Sequence, residues 1–587
     1  MQKALRPIQA ALELHSSEYG DALLWGASDE LQAFAEWRAG TLRLVQHSAA
    51  KGGGEGLKSS TKRKSKGSAK KRALTLTAAI DAWCEAAVAA NPSLSFALES
   101  LTWAYALPAI AQQADSDSWW RLAEQLDAIA VVYSTSRPGE EASVDDLLLN
   151  QLLAGELALV LSSVLPHARP WRALGKLATD TLTEGVLAWT DGEGIPPGRG
   201  LPRLGLLAGL WTRCRRLSYQ TGVRCWDAAA QTQYEWLVRQ LVRLADREGA
   251  LPLSRPPITK GAGLIRAALD CAGDEADLAA ATQRLSSKSN PSPPHPIDTP
   301  DASINSEWSG VSLLSGGWGK KDSRLLITYD ELDNQLSLAN LGTTLLTGEW
   351  RTSVVINGVA VAMDGPWEEQ CWFSDHDCDF LELSVDLEFG GRLERMILLA
   401  KQDAAAMLID IVHAGQISSV EEPVTIEVET RLPLAEDVFF EPATETREGW
   451  LRNNKRQLAG VMPLAMAEWR SEPRCGEILP QEKSVVLTHQ AVGSAIACPV
   501  WFDLKPKRFA KQRTWRQLTI AESLAPVDSD VAVGYRVQSG KDQWLIYRSL
   551  AQRANRTVLG QNYSSESFIG RFNPKTGQAE EYFEVEG

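Results

Sequence analysis

Along the first half of the chain, apolar residues recur three and four positions apart. Leu122, Leu126 and Ile129 stand at i, i+4 and i+7. Leu174, Leu177, Ala178 and Leu182 stand at i, i+3, i+4 and i+8, and Tyr234, Leu237, Leu241 and Leu244 hold a similar stripe. This spacing lines one face of a helix with apolar side chains, and roughly nine helical stretches can be traced this way. Asp191-Gly192 and Gly249 supply helix stops. Short loops between the stretches predict antiparallel neighbours.

From about residue 305 the period changes from helical to alternating. Leu381, Leu383, Val385, Leu387 and Phe389 alternate with Glu382, Ser384, Asp386 and Glu388, which predicts an antiparallel strand with one wet face. Gly390-Gly391 then allows a turn into a second strand over 393–400. Asn357-Gly358 between two short apolar runs is a strong hairpin signal. Residues 425–432 form a further candidate strand. Many strands at this spacing predict a large antiparallel β-sandwich.

The chain of 587 residues therefore divides into an N-terminal helical segment (1–48), a basic loop (49–73), a helical domain (74–285), a linker (286–304) and a β-domain (305–587). The linker is rich in Ser, Pro and Asn. Residues 51–73 carry nine basic residues and one acid against a whole-chain net charge of −14. Glycines and like charges there predict a mobile, solvated insertion, with polyanion binding as the alternative. The remaining body is strongly acidic, which argues against a general nucleic-acid binder. No stretch reads as a membrane span or a secretory signal. The eight cysteines are scattered without a CxxC, so a reduced, cytoplasmic protein is expected; a start site upstream would make it extracytoplasmic.

Nucleotide-binding, zinc-protease and serine-hydrolase motifs are absent, and no two of the seven histidines share a helical turn. The densest polar cluster is CWFSDHDCDF, residues 371–380, with Cys371, Asp375, His376, Asp377, Cys378 and Asp379. It reads as a polar loop between strands, or as a metal or sugar contact. The run 149–156 places Asn150, Gln151 and Glu156 in an otherwise apolar helix, where polar groups need partners. Residues 191–219 form a Gly/Pro loop followed by a helix with Trp211, Arg213, Arg215, Arg216 and Tyr219. Arginines and a tyrosine near a loop mouth can bind a carboxylated ligand; the alternative for the arginines is a solvated helix face. Most of the 21 tryptophans belong to cores, but a ring such as Trp211 can also serve as a platform for a sugar face. Asp191 and Glu193 could form a hydrolase pair only if held about 5–9.5 Å apart across a cleft.

An Ala/Leu-rich helical half followed by a β-rich half resembles the heparinase II/III-like polysaccharide lyases. The likeness covers residue 75 onward and rests on SGVSLLSGGW (309–318), LDNQLSLANLGTTLLTGEW (332–350), LERMILLAKQDAAAMLIDIV (393–412), LNQLLAGELALVL (149–161) and the DGEG loop. It implies an α+β multidomain fold: an (α/α) toroid, partial because nine helices fall short of twelve, followed by an antiparallel β-sandwich. The implied chemistry is β-elimination at a uronic acid, in which an amide or cation neutralises the carboxylate while a Tyr or His moves the proton. The family's toroid asparagine looks like Asn150, with Gln151 in place of a histidine. The family's Tyr-His after the DG loop falls near Arg199 to Pro202, where this chain has no tyrosine or histidine. The family's His-x-Asp pattern falls on Leu332 and Asn334, and the acidic ligand of its structural metal lacks a counterpart near Thr347-Gly348. The resemblance thus implies carboxylate binding by Asn150 and Gln151, proton transfer by Tyr219 or from elsewhere by Tyr329 or His376, and substrate contacts from Arg199, Arg203, Arg213 and Trp211. No metal or cofactor is required. The expected partner is an acidic polysaccharide or oligosaccharide; the alternative is a catalytically silent glycan-binding or assembly protein on the same scaffold.

Overall fold

A computed structural model describes residues 19–26, 31–49, 65–136, 139, 142–254, 261–285, 298–415, 424–472 and 476–585. The chain forms two compact units, Met1–Asp298 and Thr299–Gly587. The segment 1–18, most of the expected basic loop and residues 286–297 of the expected linker lie outside the described residues.

The described part of the first unit holds α1 (Gln32–Ala49), α2 (Ser65–Ala89), α3 (Leu94–Ile110), α4 (Ser116–Thr135), α5 (Val144–Val164), α6 (Arg169–Ala188), α7 (Leu204–Thr221), α8 (Ala228–Leu244), α9 (Ala262–Ala272) and α10 (Glu275–Arg284). The end of the expected basic loop is therefore helical from Ser65. Ser93, Asp115, Asp227 and Asp274 cap α3, α4, α8 and α10 by accepting backbone N–H groups of the first turn. Ser143 and Asp146 form a reciprocal capping box at the start of α5.

α5 packs against α3, α4, α6 and α7 and is the central helix of the unit. Every residue from Gln151 to Val164 is buried. Its length and apolarity would suffice to cross a membrane. Encirclement by helices explains that composition, because a helix buried on every side is apolar on every side. Gln151–Leu157 wind as a π-helix, a wider turn often found at functional sites.

The second unit stacks antiparallel sheets. An eight-stranded sheet runs, from one edge, through Phe439–Pro442, Gly449–Arg452, Gln457–Pro463, Ala495–Asp503, Ala405–His413, Gly391–Ala400 and Cys378–Leu387 to Glu368–Ser374. One face packs Leu381, Leu383, Ile397 and Leu408 against two five-stranded sheets, through Ile327, Leu338, Val354, Ile426 and Leu487. The other face packs Phe380, Met396 and Met407 against a C-terminal five-stranded sheet carrying Trp515, Tyr535, Trp544 and Ile569.

The expected one-sided strand at 378–387 is thus covered on both faces. Glu382 and Ser384 are buried, and Arg548 of the C-terminal sheet donates to Glu382 at 2.6 Å and to Glu394 at 2.9 Å. A polar face looked wet because its counter-ion lies 166 residues away in sequence. The hairpin signals were sound. Asn357 and Gly358 both have positive φ (51° and 78°) and join Ile356 to Val359, as a type I′ turn requires. Gly391 pairs with Leu387 across a turn in which Phe389 and Gly390 also have positive φ.

Arg395 and Asp410 form a fully buried pair between the sheets at 3.0 Å. Asp410 also accepts from Thr352 at 2.6 Å and Thr430 at 2.8 Å. The guanidinium donates to Asn334 and to the Trp350 carbonyl and lies against the Trp350 and Trp367 rings. His489 is buried in the same unit, with neither ring nitrogen hydrogen-bonded.

Burial, partly offset by Asp410, pushes the His489 imidazole down to about 4. An unfolded histidine titrates near 6.5, so the unfolded chain binds more protons between these values. The His489 contribution to stability is complete above about pH 6.5 and is lost as pH falls toward 4, by up to about 3 kcal/mol. Urea unfolding at pH 7 and pH 4.5 should show this slope in the native chain, and His489→Leu should reduce it by that amount.

Candidate functional site

The polar residues of α5 divide into two groups. Glu156 is fully buried; Arg213 of α7 donates to it twice, at 2.7 and 2.6 Å, and Tyr105 of α3 donates at 2.9 Å. Arg213 also reaches the Ala22 carbonyl at 3.0 Å. Gln151 is buried as well, donating to the Thr181 carbonyl of α6 at 2.8 Å and accepting from the Trp211 indole at 3.3 Å. A side chain on Gly185 would collide with this amide, so the glycine is what lets Gln151 cross to α6. Trp211 and Arg213 are bonded inside the helical unit, and Gln151, though bonded to Thr181 and Trp211, also lines the cavity that Asn150 lines.

Asn150 is different. It is half-buried and lines a cavity of about 290 Å³ with Tyr133, Ser134, Leu147, Leu177, Asp180 and Glu184. Its amide donates to the Tyr133 carbonyl at 3.4 Å. The cavity is built from the C-terminal end of α4, the N-terminal third of α5 and the length of α6 that ends at Trp189. Gly200 of the Gly/Pro loop packs on the Trp189 ring, close enough that a Cβ there would lie 3.0 Å from it. That loop is a 3-10 turn, Gly198–Arg203, and Arg203 clamps the Asp145 carboxylate at the start of α5 with bonds of 2.7 and 3.1 Å. Arg199 lies on the same turn and is exposed.

Tyr133 is the residue that the sequence did not signal. It ends the apolar stripe of α4, and nothing local marks it as facing a cavity. Burial, reinforced by the Asp146 carboxylate, pushes its phenol above the ordinary value.

The other candidates are placed elsewhere. Tyr219 is 60% exposed, and its hydroxyl joins Arg215 at 2.8 Å and the Cys271 carbonyl at 3.2 Å. It sits eight residues beyond Trp211 on α7, about 12 Å along the axis. Asp191 spends its carboxylate on the backbone N–H groups of Glu193 and Ile195, both at 2.8 Å, closing the DGEG loop on itself. In the second unit, Tyr329 is buried and donates to Glu369, which also accepts from Asn305; burial and Glu369 push this phenol up. His376 lies in the exposed turn between Glu368–Ser374 and Cys378–Leu387, 3.2 Å from Asp377. The ligand atoms of Asp375, His376 and Asp377 lie within 4.8 Å of one another, but Asp375 already accepts the Asp377 and Cys378 backbone N–H groups at 2.9 and 2.8 Å. Asp379 is buried on Ser303 and Lys401, and Cys378 is buried. The cluster is a turn between strands, as its first reading expected.

Breaking the Glu156–Arg213 pair tests what holds α5 in place. Arg213→Met leaves a buried, unpaired carboxylate and should cost about 3–5 kcal/mol in chemical denaturation. The double variant Glu156→Leu/Arg213→Met should recover most of that loss.

No protein-family model matches the chain, and no curated protein matches it in sequence. Solved structures do match. The heparan sulfate lyase HepC from Pedobacter heparinus is 10% identical, with 94% of this chain and 90% of that chain covered at a TM-score of 0.54. A heparinase III gene product is 11% identical, with 94% and 90% covered and a TM-score of 0.55. Another heparinase III is 9% identical, with 87% and 82% covered and a TM-score of 0.54. The likeness is one of fold: like these structures, the chain has an N-terminal helical region followed by a large antiparallel β-sheet region.

Proposed function

We propose that this chain recognises glycans on a lyase scaffold through the cavity around Asn150, without turning them over. The observation that carries this reading is the company Asn150 keeps. It retains an amide at a cavity wall, where it can accept and donate to a sugar, while Tyr219, the proton-transfer group first expected beside it, is bound to Arg215 and Cys271 further along α7. A β-elimination needs a carboxylate neutraliser and proton-transfer groups at one carbon, and each transfer group supplies about 10²–10⁴-fold. Of the two cations expected to assist the amide, Arg203 is held by Asp145, while Arg199 is exposed on the same turn; Arg213 is held by Glu156.

One observation favours β-elimination as a second reading: the Tyr133 phenol lines the same cavity as Asn150. In that case Asn150 would neutralise the uronate and Tyr133 would protonate the leaving oxygen, a task suited to a phenol that holds its proton.

A panel of alginate, hyaluronan and heparan-type polymers separates the readings. The binding reading expects retention on an immobilised glycan, weakened about tenfold by Asn150→Ala, and no unsaturated product absorbing in the ultraviolet. Product formation abolished by both Asn150→Ala and Tyr133→Phe would overturn it in favour of the lyase.

A further inference from the structure

Not every arginine of this acidic chain meets an acid. In the helical unit Arg38, Arg121, Arg203, Arg213 and Arg239 each pair with a carboxylate. Arg215 and Arg216 of α7 and Arg266 of α9 pair with none among the described residues. All three are half-buried, and the Nε–H of each is shut off from solvent with no acceptor. A buried donor left unmet costs about 1–3 kcal/mol, and more on a charged group.

The three arginines converge on one patch. Tyr19 lies along α9: a Cβ on Gly263 would stand 2.2 Å from its carbonyl oxygen, and its hydroxyl donates to Asp270. Gly263 and Asp270 share a helix face two turns apart, and Arg266 stands between them on that face. From α7, the Arg216 guanidinium lies 5.1 Å from the centre of the same Tyr19 ring. Arg215 lies 4.1 Å from the centre of the Tyr219 ring, whose hydroxyl accepts from Arg215 and donates to the Cys271 carbonyl of α9. Burial pushes the Cys271 thiol up to about 11, against the pull of the Arg216 and Arg215 charges. The carboxylate in the patch, Asp270, accepts from Tyr19 and leaves the positive charges in excess.

Helix dipoles do not explain this grouping. Their effect falls off within the last turn, and Arg215 and Arg216 stand before the last turn of α7, which closes at Thr221. The tyrosine rings hold the guanidinium planes in place without neutralising them. Guanidinium forks match oxyanions. A carboxylate offers its acceptors in one plane, whereas a tetrahedral group offers them in several directions, as donors arriving from two helices require.

We infer that Arg215, Arg216 and Arg266 hold a tetrahedral oxyanion, a sulfate or phosphate group, between α7 and α9. The patch shares no residue with the Asn150 cavity, so the assignment stands whether or not that cavity takes a glycan.

The test is thermal unfolding of the full chain in sodium chloride, sulfate and phosphate at one ionic strength. Sulfate or phosphate should raise the midpoint above that in chloride and saturate, as a ligand of the native state does. Arg216→Gln/Arg266→Gln should weaken the apparent affinity at least about tenfold, whereas Arg172→Gln, an exposed arginine of α6, should leave it unchanged. Sulfate and phosphate also stabilise proteins by exclusion from their surfaces. A rise that never saturates, or that is unchanged in Arg216→Gln/Arg266→Gln, would therefore overturn the inference, as would equal midpoints in the three salts. Glucose 6-sulfate and glucose 6-phosphate then identify the source of the group. Whichever binds more tightly than its inorganic ion names the carrier; if neither does, the site is one for the free ion.

Discussion

A carboxylate with no access to solvent, Glu156, governs the helical unit. α5 is apolar around its whole circumference, so it has no wet face to fix its rotation about its own axis. Burial alone would accept many rotations of such a helix. Glu156 accepts only the one that meets Arg213 and Tyr105, because any other leaves a charge buried and unpaired. Gln151 repeats the constraint at the other end of the π-helical segment, through Thr181 and Trp211. With both fixed, Asn150 has one place to point, and the cavity formed with α4 and α6 follows. The ion pair adds specificity more than net stability, as buried pairs that set register do in other helical assemblies.

The β unit solves the same problem with the same means. Its eight-stranded sheet is covered on both faces, and the polar residues that alternation forces inward are answered across the layers or by the neighbouring strand of the same sheet. Glu382 and Glu394 meet Arg548; Asp410 meets Arg395. A strand covered on one face needs only its alternation to choose a register. A strand covered on both needs a partner for each inward polar group, and a one-residue slip would strand every one of them. His489 marks the limit of this scheme, a buried ring that stays neutral because nothing pairs with it.

Which of these features could be read from the chain follows from how local each one is. Helical stripes, the Asn357-Gly358 hairpin and the change of period near residue 305 are local patterns, and the structure shows all three. The oddness of Asn150, Gln151 and Glu156 was legible too, since polar groups in an apolar helix demand partners. Which partners was not. Arg213 looked like one of several arginines on a helix and proved to be the buried one. Glu382 looked solvent-facing because Arg548 is far away in sequence. Tyr133 carried no signal, since the end of an amphipathic stripe looks the same whether solvent or a cavity lies beyond it. Pairings made by tertiary packing leave only half of themselves at any one place in the sequence.

That asymmetry explains how a scaffold persists at about 10% identity while its chemistry is open to change. A fold tolerates any sequence that repeats its pattern of burial and answers its buried charges. A catalytic site tolerates far less, because proton transfer needs particular groups within hydrogen-bond reach of one atom. Here the amide at 150 stands at a cavity wall, while Arg203 is paired with Asp145 and Arg213 with Glu156. A positive charge bound to a carboxylate attracts an anionic ligand less. Pairs that hold a unit together thus also decide which of its charged groups remain for other work, and a fold can stay while its chemistry changes.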